Sequence, residues 1–393
     1  MKKAAILLPF LLAGGSLSSA EWEFFQGPEF DGIVKEKGLK SKSLSSLWTQ
    51  NIKTGFSSFT ISEGLMFSMG NEGDQDIVQA LDVKTGKSVW KYSYAEPLNP
   101  KMYKGGPNAT PTIEGDRVYT LSRVGLVHCF DAKKGSLIWK KDVREFGAKA
   151  PQFGFAGAPT ILGDKVLLSV GDTGAALNKK NGEVIWSSKG KLAGYASVVP
   201  FDKETVLMLM AKELLGVDLK TGKVKFRHAF KAQYDINATT PLVVHGNKVL
   251  ISNGYGTGRT ALVEVKAGKV TQLWETTDLK SQFSNPAIMN GYIYGISGNT
   301  GKSCKVKCLK LSDGSVVWEK RSKFGSLRMA DGKLYILDEK GMLRVVKADS
   351  NAYTELSSKK ILKDICWTAP VISDGVLFAR DAAGDVVAID LKS

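Results

Sequence analysis

Apolar and polar residues alternate along most of this chain, and glycine, aspartate, asparagine or proline interrupts the alternation every few residues. Arg117-Val-Tyr-Thr-Leu121 shows the pattern on a small scale. Side chains two apart share one face of a strand, so the pattern predicts short strands joined by tight turns. After residue 20 no long stretch carries helical spacing.

One hairpin recurs. Ala80 to Trp90 reads as a strand, a turn and a second strand ending on an indole. Asp82 can accept hydrogen bonds from the turn's N–H groups, and Gly86 can take the left-handed position that closes it. The hairpin returns with Asp131, Gly135 and Trp139; with Asn178, Gly182 and Trp186; with Asp218, Gly222 and Phe226; and with Lys310, Gly314 and Trp318. A looser copy ends at Trp274, with two extra residues after Gly268. A second piece precedes each hairpin and starts at Pro111, Pro159, Pro241, Pro286 and Pro370, more weakly at Pro200, and without proline at Phe59 and Leu327. These starts lie 41–52 residues apart. Eight units at roughly this period are the spacing of four-stranded propeller blades.

The two ends complement each other. Leu47-Trp48-Thr49-Gln50 looks like an outer strand with no inner strands before it, and Val386 to Ser393 stops where its tryptophan strand should begin. Residues 46–52 are therefore expected to complete the last blade, since closure removes open sheet edges. The expected fold is all-β: an eight-bladed β-propeller of four-stranded antiparallel blades, closed by an N-terminal strand and spanning residues 46–393. Residues 21–45 form a polar lead-in with turn signals at Gly27-Pro28 and Asp31-Gly32. Residues 1–20 have a basic head, an apolar run and small residues at Ser18-Ser19-Ala20, the pattern of a secretory signal peptide. The mature chain is then expected without a transmembrane segment, exported to the periplasm or beyond the cell.

Composition adds a charge. The formal balance is +15, or +13 once Lys2 and Lys3 leave with the leader. That points to an anionic surface or glycan as one class of partner. Much of the lysine lies in the hairpin turns, where the plainer reading is a solubilising face. No nucleic-acid recognition motif is present, so nucleic acid is excluded as a partner. Cys129 and Cys308 share a repeat position held elsewhere by Ala80, Ala176 and Gly216, a small buried slot. Cys304 and Cys308 are too far apart in a strand to pair, and a Cys304–Cys366 bridge is left open. The three histidines form neither zinc-ligand spacing nor a nucleophile–base pair, so no metal site and no catalytic residue are assigned.

The recurring aromatics, Trp48, Trp90, Trp139, Trp186, Trp274 and Trp318, fall on outer strands and are expected to pack between neighbouring blades. The variable pieces are the connections from one outer strand to the next inner strand, such as 91–110, 140–158, 227–240 and 357–369. All emerge opposite the hairpin turns, and long loops on a rigid ring are where binding lives. The ligand-face candidates are Tyr103, Asn108, Phe153, Phe155 and Tyr195 on the earlier connections. On the later ones they are Tyr234, Asn237, Phe283, Asn285 and Trp367.

The pattern Ala80-x-Asp82-x-x-Thr85-Gly86-x-x-x-Trp90 resembles the tryptophan-docking motif of pyrroloquinoline-quinone-type propellers, over residues 46 to 393. Asn178, Lys310 and Phe226 depart from it, and the unit around Val345 to Ser357 has almost lost it. Trp22-Glu-Phe-Phe-Gln-Gly27-Pro28 also resembles the Trp-Pro-Gln-Trp-Arg-Gly-Pro lead-in of exported bacterial propellers of this type. The resemblance implies one of two subgroups. Quinoprotein dehydrogenases hold the quinone and Ca²⁺ in the funnel with an Asp as base, and often carry a Cys-Cys pair. The other subgroup is a scaffold without cofactor, like the propeller lipoprotein of the outer-membrane barrel-assembly machinery. This chain has no Cys-Cys dipeptide, near-minimal blades and no grouped loop acids. The expected function is a binding or assembly scaffold with an envelope protein partner and no cofactor. The alternatives are a PQQ- and Ca²⁺-dependent dehydrogenase and a cell-wall or carbohydrate-binding module.

Overall fold

The structure, a computed structural model, describes residues 21–100 and 103–393. The signal-peptide reading of residues 1–20 lies outside them. Eight sheets stand in a ring, each built on four antiparallel strands, and in seven of them the four follow sequence order from the inside outward. The inner strands begin at Thr60, Thr112, Thr160, Val199, Leu242, Ala287, Gly325 and Val371. The middle strands are buried on both faces, as in Arg117–Leu121 and Leu126–Asp131, because a neighbouring blade covers each side. The outer strands are exposed apart from the docking residue, as in Leu137–Asp142 where Trp139 is buried. The long connections and the turns between second and third strands share one face of the ring. The Asp-x-x-x-Gly turns lie on the other.

The last blade takes its outer strand from the start of the chain. Ser46–Asn51 pairs antiparallel with Asp385–Asp390, with Trp48 opposite Ala388 and Asn51 opposite Asp385. The ring is closed by its own N-terminal strand, as the complementary ends imply.

Each indole reaches into the next blade. Trp90 Nε1 donates to the carbonyl of Ala132 at 2.8 Å, and Trp48, Trp139, Trp186, Trp274 and Trp318 donate likewise to Val83, Lys179, Leu219, Leu311 and Asp349 at 2.9–3.2 Å. Six of eight seams are pinned this way. The register slips by one residue at the indole, as between Leu137 and Trp139, and the bulge turns the ring toward its neighbour. At the fourth seam Phe226 packs in one apolar cluster with Val263 and Val265 and has no N–H to donate. At the seventh, Ser357 occupies the indole position opposite Val345.

The lead-in repairs that last seam. Ile33–Val34 adds a short parallel strand to the seventh blade beside Met329 and Ala330. The backbone N–H of Leu39 then donates to Asp331 Oδ2 at 2.9 Å, Lys40 N–H to the Leu391 carbonyl at 2.7 Å, and Glu36 accepts from the N–H groups of Asp374 and Gly375 at 2.7 and 2.6 Å. Residues 33–40 thus clamp the seventh blade to the eighth where no indole does. The segment is polar in composition, yet Trp22, Val34, Leu39 and Leu44 are buried in the core between blades one, seven and eight.

The four cysteines are free and buried, so Cys304 and Cys366 do not pair.

The docking contact makes a prediction about glycine. Gly135 has φ +70° and a Cβ there would stand 2.5 Å from the Trp90 indole, whereas Gly115 has φ +58° and open space around it. Gly115→Ala should cost about 1 kcal/mol, the backbone penalty alone. Gly135→Ala should cost about 2–4 kcal/mol, because overpacking against a fixed indole is added. Urea melts of the two variants check this; equal losses would mean the seam yields easily.

Candidate functional site: a neutral aromatic cup

The lead-in also blocks the ring. Trp22 bonds antiparallel to Ile61 of the first blade through two backbone hydrogen bonds of 2.8 and 2.9 Å, and Ile113 N–H donates to the Glu23 carbonyl. Phe24 and Phe30 then pack on each other, 5.1 Å between centroids, against the third and fourth blades. Arg328 fixes the crossing. Its fully buried guanidinium lies 4.8 Å over the Trp22 ring, donates to Gln26 Oε1 at 2.7 Å and to the Pro370 carbonyl at 3.0 Å. Burial lowers its pKa only to about 10, so it keeps its charge. Gly27, at φ +77° with the Trp22 indole against its Cα, lets the segment fold back on itself.

Above this plug the channel becomes a blind cup of about 390 Å³, open toward the connection face and floored by Phe25 and Gln26. Its wall has a regular origin. The residue three before each inner-strand proline lines it: Asn108, Ala156, Ala238, Phe283 and Trp367, with Phe56 three before Phe59. The residue one before the proline does so as well, as in Thr110, Thr240 and Asn285. The inner strand's alternation simply continues backward through the proline, and the same face that lines the channel below lines the cup above.

Six aromatic rings run around most of the wall. Phe283 lies 5.6 Å from Trp367, Trp367 stacks on Phe56 at 5.1 Å, and Phe56, Tyr103, Phe153 and Tyr195 follow at 5.5, 5.9 and 6.2 Å. Ile236, Tyr255 and Gln282 complete the circle. No Asp, Glu, Lys, Arg or His lines it among the described residues. Burial pushes the Tyr195 phenol up to about 12, so that hydroxyl also stays neutral.

Seven of the ten ligand-face candidates come together here: Tyr103, Asn108, Phe153, Tyr195, Phe283, Asn285 and Trp367. Three do not. Phe155 points into the core of the second and third blades. Asn237 is buried and its amide donates to the carbonyls of Met210 and Phe230 at 2.8 and 2.7 Å, which staples a connection. Tyr234 is 70% exposed on a short 3₁₀ turn, its ring centroid 6.4 Å from that of Tyr255. Phe56, Tyr255, Gln282 and the floor residues Phe25 and Gln26 were not among the candidates. The offset from the proline would have found Phe56. Nothing in the lead-in's polar composition marks Phe25 and Gln26 as a floor.

Behind the Tyr103 wall lies a buried charged cluster. Arg123 Nε donates to the Tyr103 hydroxyl at 2.9 Å. Asp76 accepts from Asn71 at 2.8 Å and from Tyr94, and Glu96 is buried beside it. Burial, then the Asp76 charge, raises the Glu96 pKa to about 7, and burial raises Asp76 to about 6. Burial holds His128 down to about 4, so its imidazole is neutral near pH 7.

A family model described as outer membrane protein assembly factor BamB matches residues 73–320. The chain belongs to that family. A Yersinia pestis outer membrane protein assembly factor BamB is 25% identical over 300 residues, covering 70% of this chain and 72% of the relative. The crystal structure of BamB from Moraxella catarrhalis superposes with a TM-score of 0.69 at 16% identity, over 88% of this chain and 99% of that one. A quinohemoprotein alcohol dehydrogenase from Comamonas testosteroni gives 0.73 at 12% identity, over 95% and 81%. At these identities the two structures share the fold. The cup does not fit a quinone–calcium centre: calcium needs several oxygen ligands including carboxylates, and none lines the wall. Among the described residues no group of three or more His, Cys, Asp or Glu could hold a metal.

The Glu96 environment sets a pH dependence. Unfolded, the carboxyl titrates at 4.5; folded, at about 7. The folded state holds the proton more tightly, so ionised Glu96 opposes folding above pH 7, and the penalty fades as pH falls through 7 toward 4.5. Glu96→Gln should therefore stabilise the protein at pH 8 by about 1–3 kcal/mol and change little at pH 5. Denaturant melts at both pH values measure it; a destabilised variant at pH 8 would show that the charge is compensated.

Proposed function

We propose that this chain is a non-catalytic binding propeller of the cell envelope that serves outer-membrane protein assembly, exported by its leader and working through a protein partner. The observation that carries the reading is the neutral cup within a ring of this family. General acid–base chemistry needs a titratable group at the reacting atoms, and the wall offers only amides, hydroxyls and rings. The relatives' name, outer membrane protein assembly factor, supplies the process. No helix among the described residues is long and apolar enough to cross a membrane, so in this reading the propeller meets the membrane through its partner.

Two measurements test it. Cells lacking the chain should contain less folded β-barrel protein in the outer membrane, restored by the wild-type chain. Purified protein given pyrroloquinoline quinone and Ca²⁺ should develop no cofactor absorbance and no dye-linked alcohol oxidation. Turnover, or unchanged barrel-protein levels, would overturn the proposal.

A further inference from the structure

The cup and its collar together describe a ligand. Most polar groups of the wall already serve the protein. Asn108 Nδ2 donates to the Phe153 carbonyl at 2.9 Å, Ser58 Oγ to the Ala369 carbonyl at 3.2 Å, and Thr368 Oγ1 to the Phe56 carbonyl at 3.2 Å. Gln282 uses its amide N–H on Tyr255 and its oxygen on Thr300 N–H. Trp367 Nε1 and Asn285 Oδ1 are closed to solvent and have no hydrogen-bond partner among the described residues. A sugar would have to share the Tyr103, Tyr195 and Tyr255 hydroxyls and the Asn108 amide with the bonds they already make. An apolar or aromatic side chain would need none of these groups, and its burial is what an aromatic-walled cavity rewards. The volume falls in the range of small-ligand sites.

Exposed lysines without an ion-pair partner stand on both faces of the ring, the mouth included. On the turn face Lys133, Lys179 and Lys392 pair with Glu63, Glu114 and Asp374, while Lys84, Lys87, Lys134 and Lys180 are exposed without an ion pair among the described residues. On the connection face Asp142, Glu275 and Asp364 pair with Arg144, Arg259 and Lys104, whereas Asp74, Asp172 and Asp385 accept from N–H groups. Lys149, Lys189, Lys191, Lys231, Lys302 and Lys363 remain exposed there with no ion pair among the described residues. They come from five different connections and turns, so the positive charge follows the rim rather than meeting at a point. A lipid headgroup carries its charge at one place. An extended chain carries several along its length and matches a rim better.

We infer that the cup seats an apolar, preferably aromatic, side chain of an extended acidic polypeptide segment, with the flanking carboxylates on the lysine collar. This deepens the assembly reading and rests on it for the choice of a polypeptide. The ring supplies a rigid socket, and the collar supplies speed and orientation of encounter.

The probe is a fluorescein-labelled Asp-Glu-Phe-Thr-Phe-Glu-Asp peptide, followed by fluorescence anisotropy on the purified chain. Saturable binding is expected, at least about tenfold weaker for the peptide with both Phe replaced by Ala and for the peptide with lysine flanks, and weaker in 0.5 M salt than in about 0.1 M. Ala156→Trp and Ala238→Trp each fill the cup and should abolish binding while the thermal midpoint stays within a few degrees. Lys149→Glu with Lys189→Glu and Lys191→Glu should weaken it at least about tenfold. The inference falls if the peptide does not saturate by about 1 mM, if the alanine or lysine peptide binds equally, or if both filled variants fold and still bind. Displacement by maltohexaose or dodecyl phosphate in preference to the peptide would also overturn it, in favour of a glycan or an anionic lipid. Barrel-protein levels in cells are read separately. Normal rescue by the wild-type chain with no peptide binding sinks the inference alone, and peptide binding without rescue sinks the assembly reading alone.

Discussion

One hydrogen bond, repeated around a circle, organises this molecule. An indole N–H on the outer strand of one blade meets a carbonyl in the hairpin turn of the next, and the ring of the same indole lies on that turn's glycine. A blade has two apolar faces and cannot stand in water alone. The indole commits each face to one neighbour at one angle. Eight such angles must add to a full turn, so the geometry of the seam fixes the number of blades. The indole is also worth several kcal/mol as buried area, far more than the hydrogen bond itself, which supplies direction.

Two seams lack the indole and show how the constraint can be met otherwise. Phe226 keeps the burial and gives up the directional bond. Ser357 gives up both, and the backbone of residues 33–40 spans the gap with carboxylate and carbonyl contacts to both blades. The same segment, a few residues earlier, carries the floor of the cup. A stretch that makes up for a weak seam also decides that the central channel is a socket and not a pore.

The repeat made the fold readable. A turn aspartate, a turn glycine and an aromatic four residues later recur often enough to count the blades and to match Trp48 with the strand ending at Asp390. Much of the cup was readable too, because wall residues sit at a constant offset from the inner-strand proline. Phe155, Tyr234 and Asn237 show where that reading thins out. They share the connections with true wall residues, and only the path of each loop decides whether a side chain faces the cup, the core or water. The plug was not readable at all. Its apolar contacts come from single residues such as Trp22, Phe24 and Phe30, spaced irregularly in a polar stretch, and it is positioned by Arg328, some three hundred residues away in sequence.

That distance has a consequence for how the molecule is made. The strand that latches the circle emerges first and must wait for a partner strand that emerges last. Blades one to six can dock in order as they appear, since each seam joins neighbours in sequence. The final wedge, the floor and the latch cannot form until the C-terminal strand is available. Such long-range contacts are slow to find. Until they do, a horseshoe with two raw β-edges and an open bore is exposed to every other unfolded chain in the compartment.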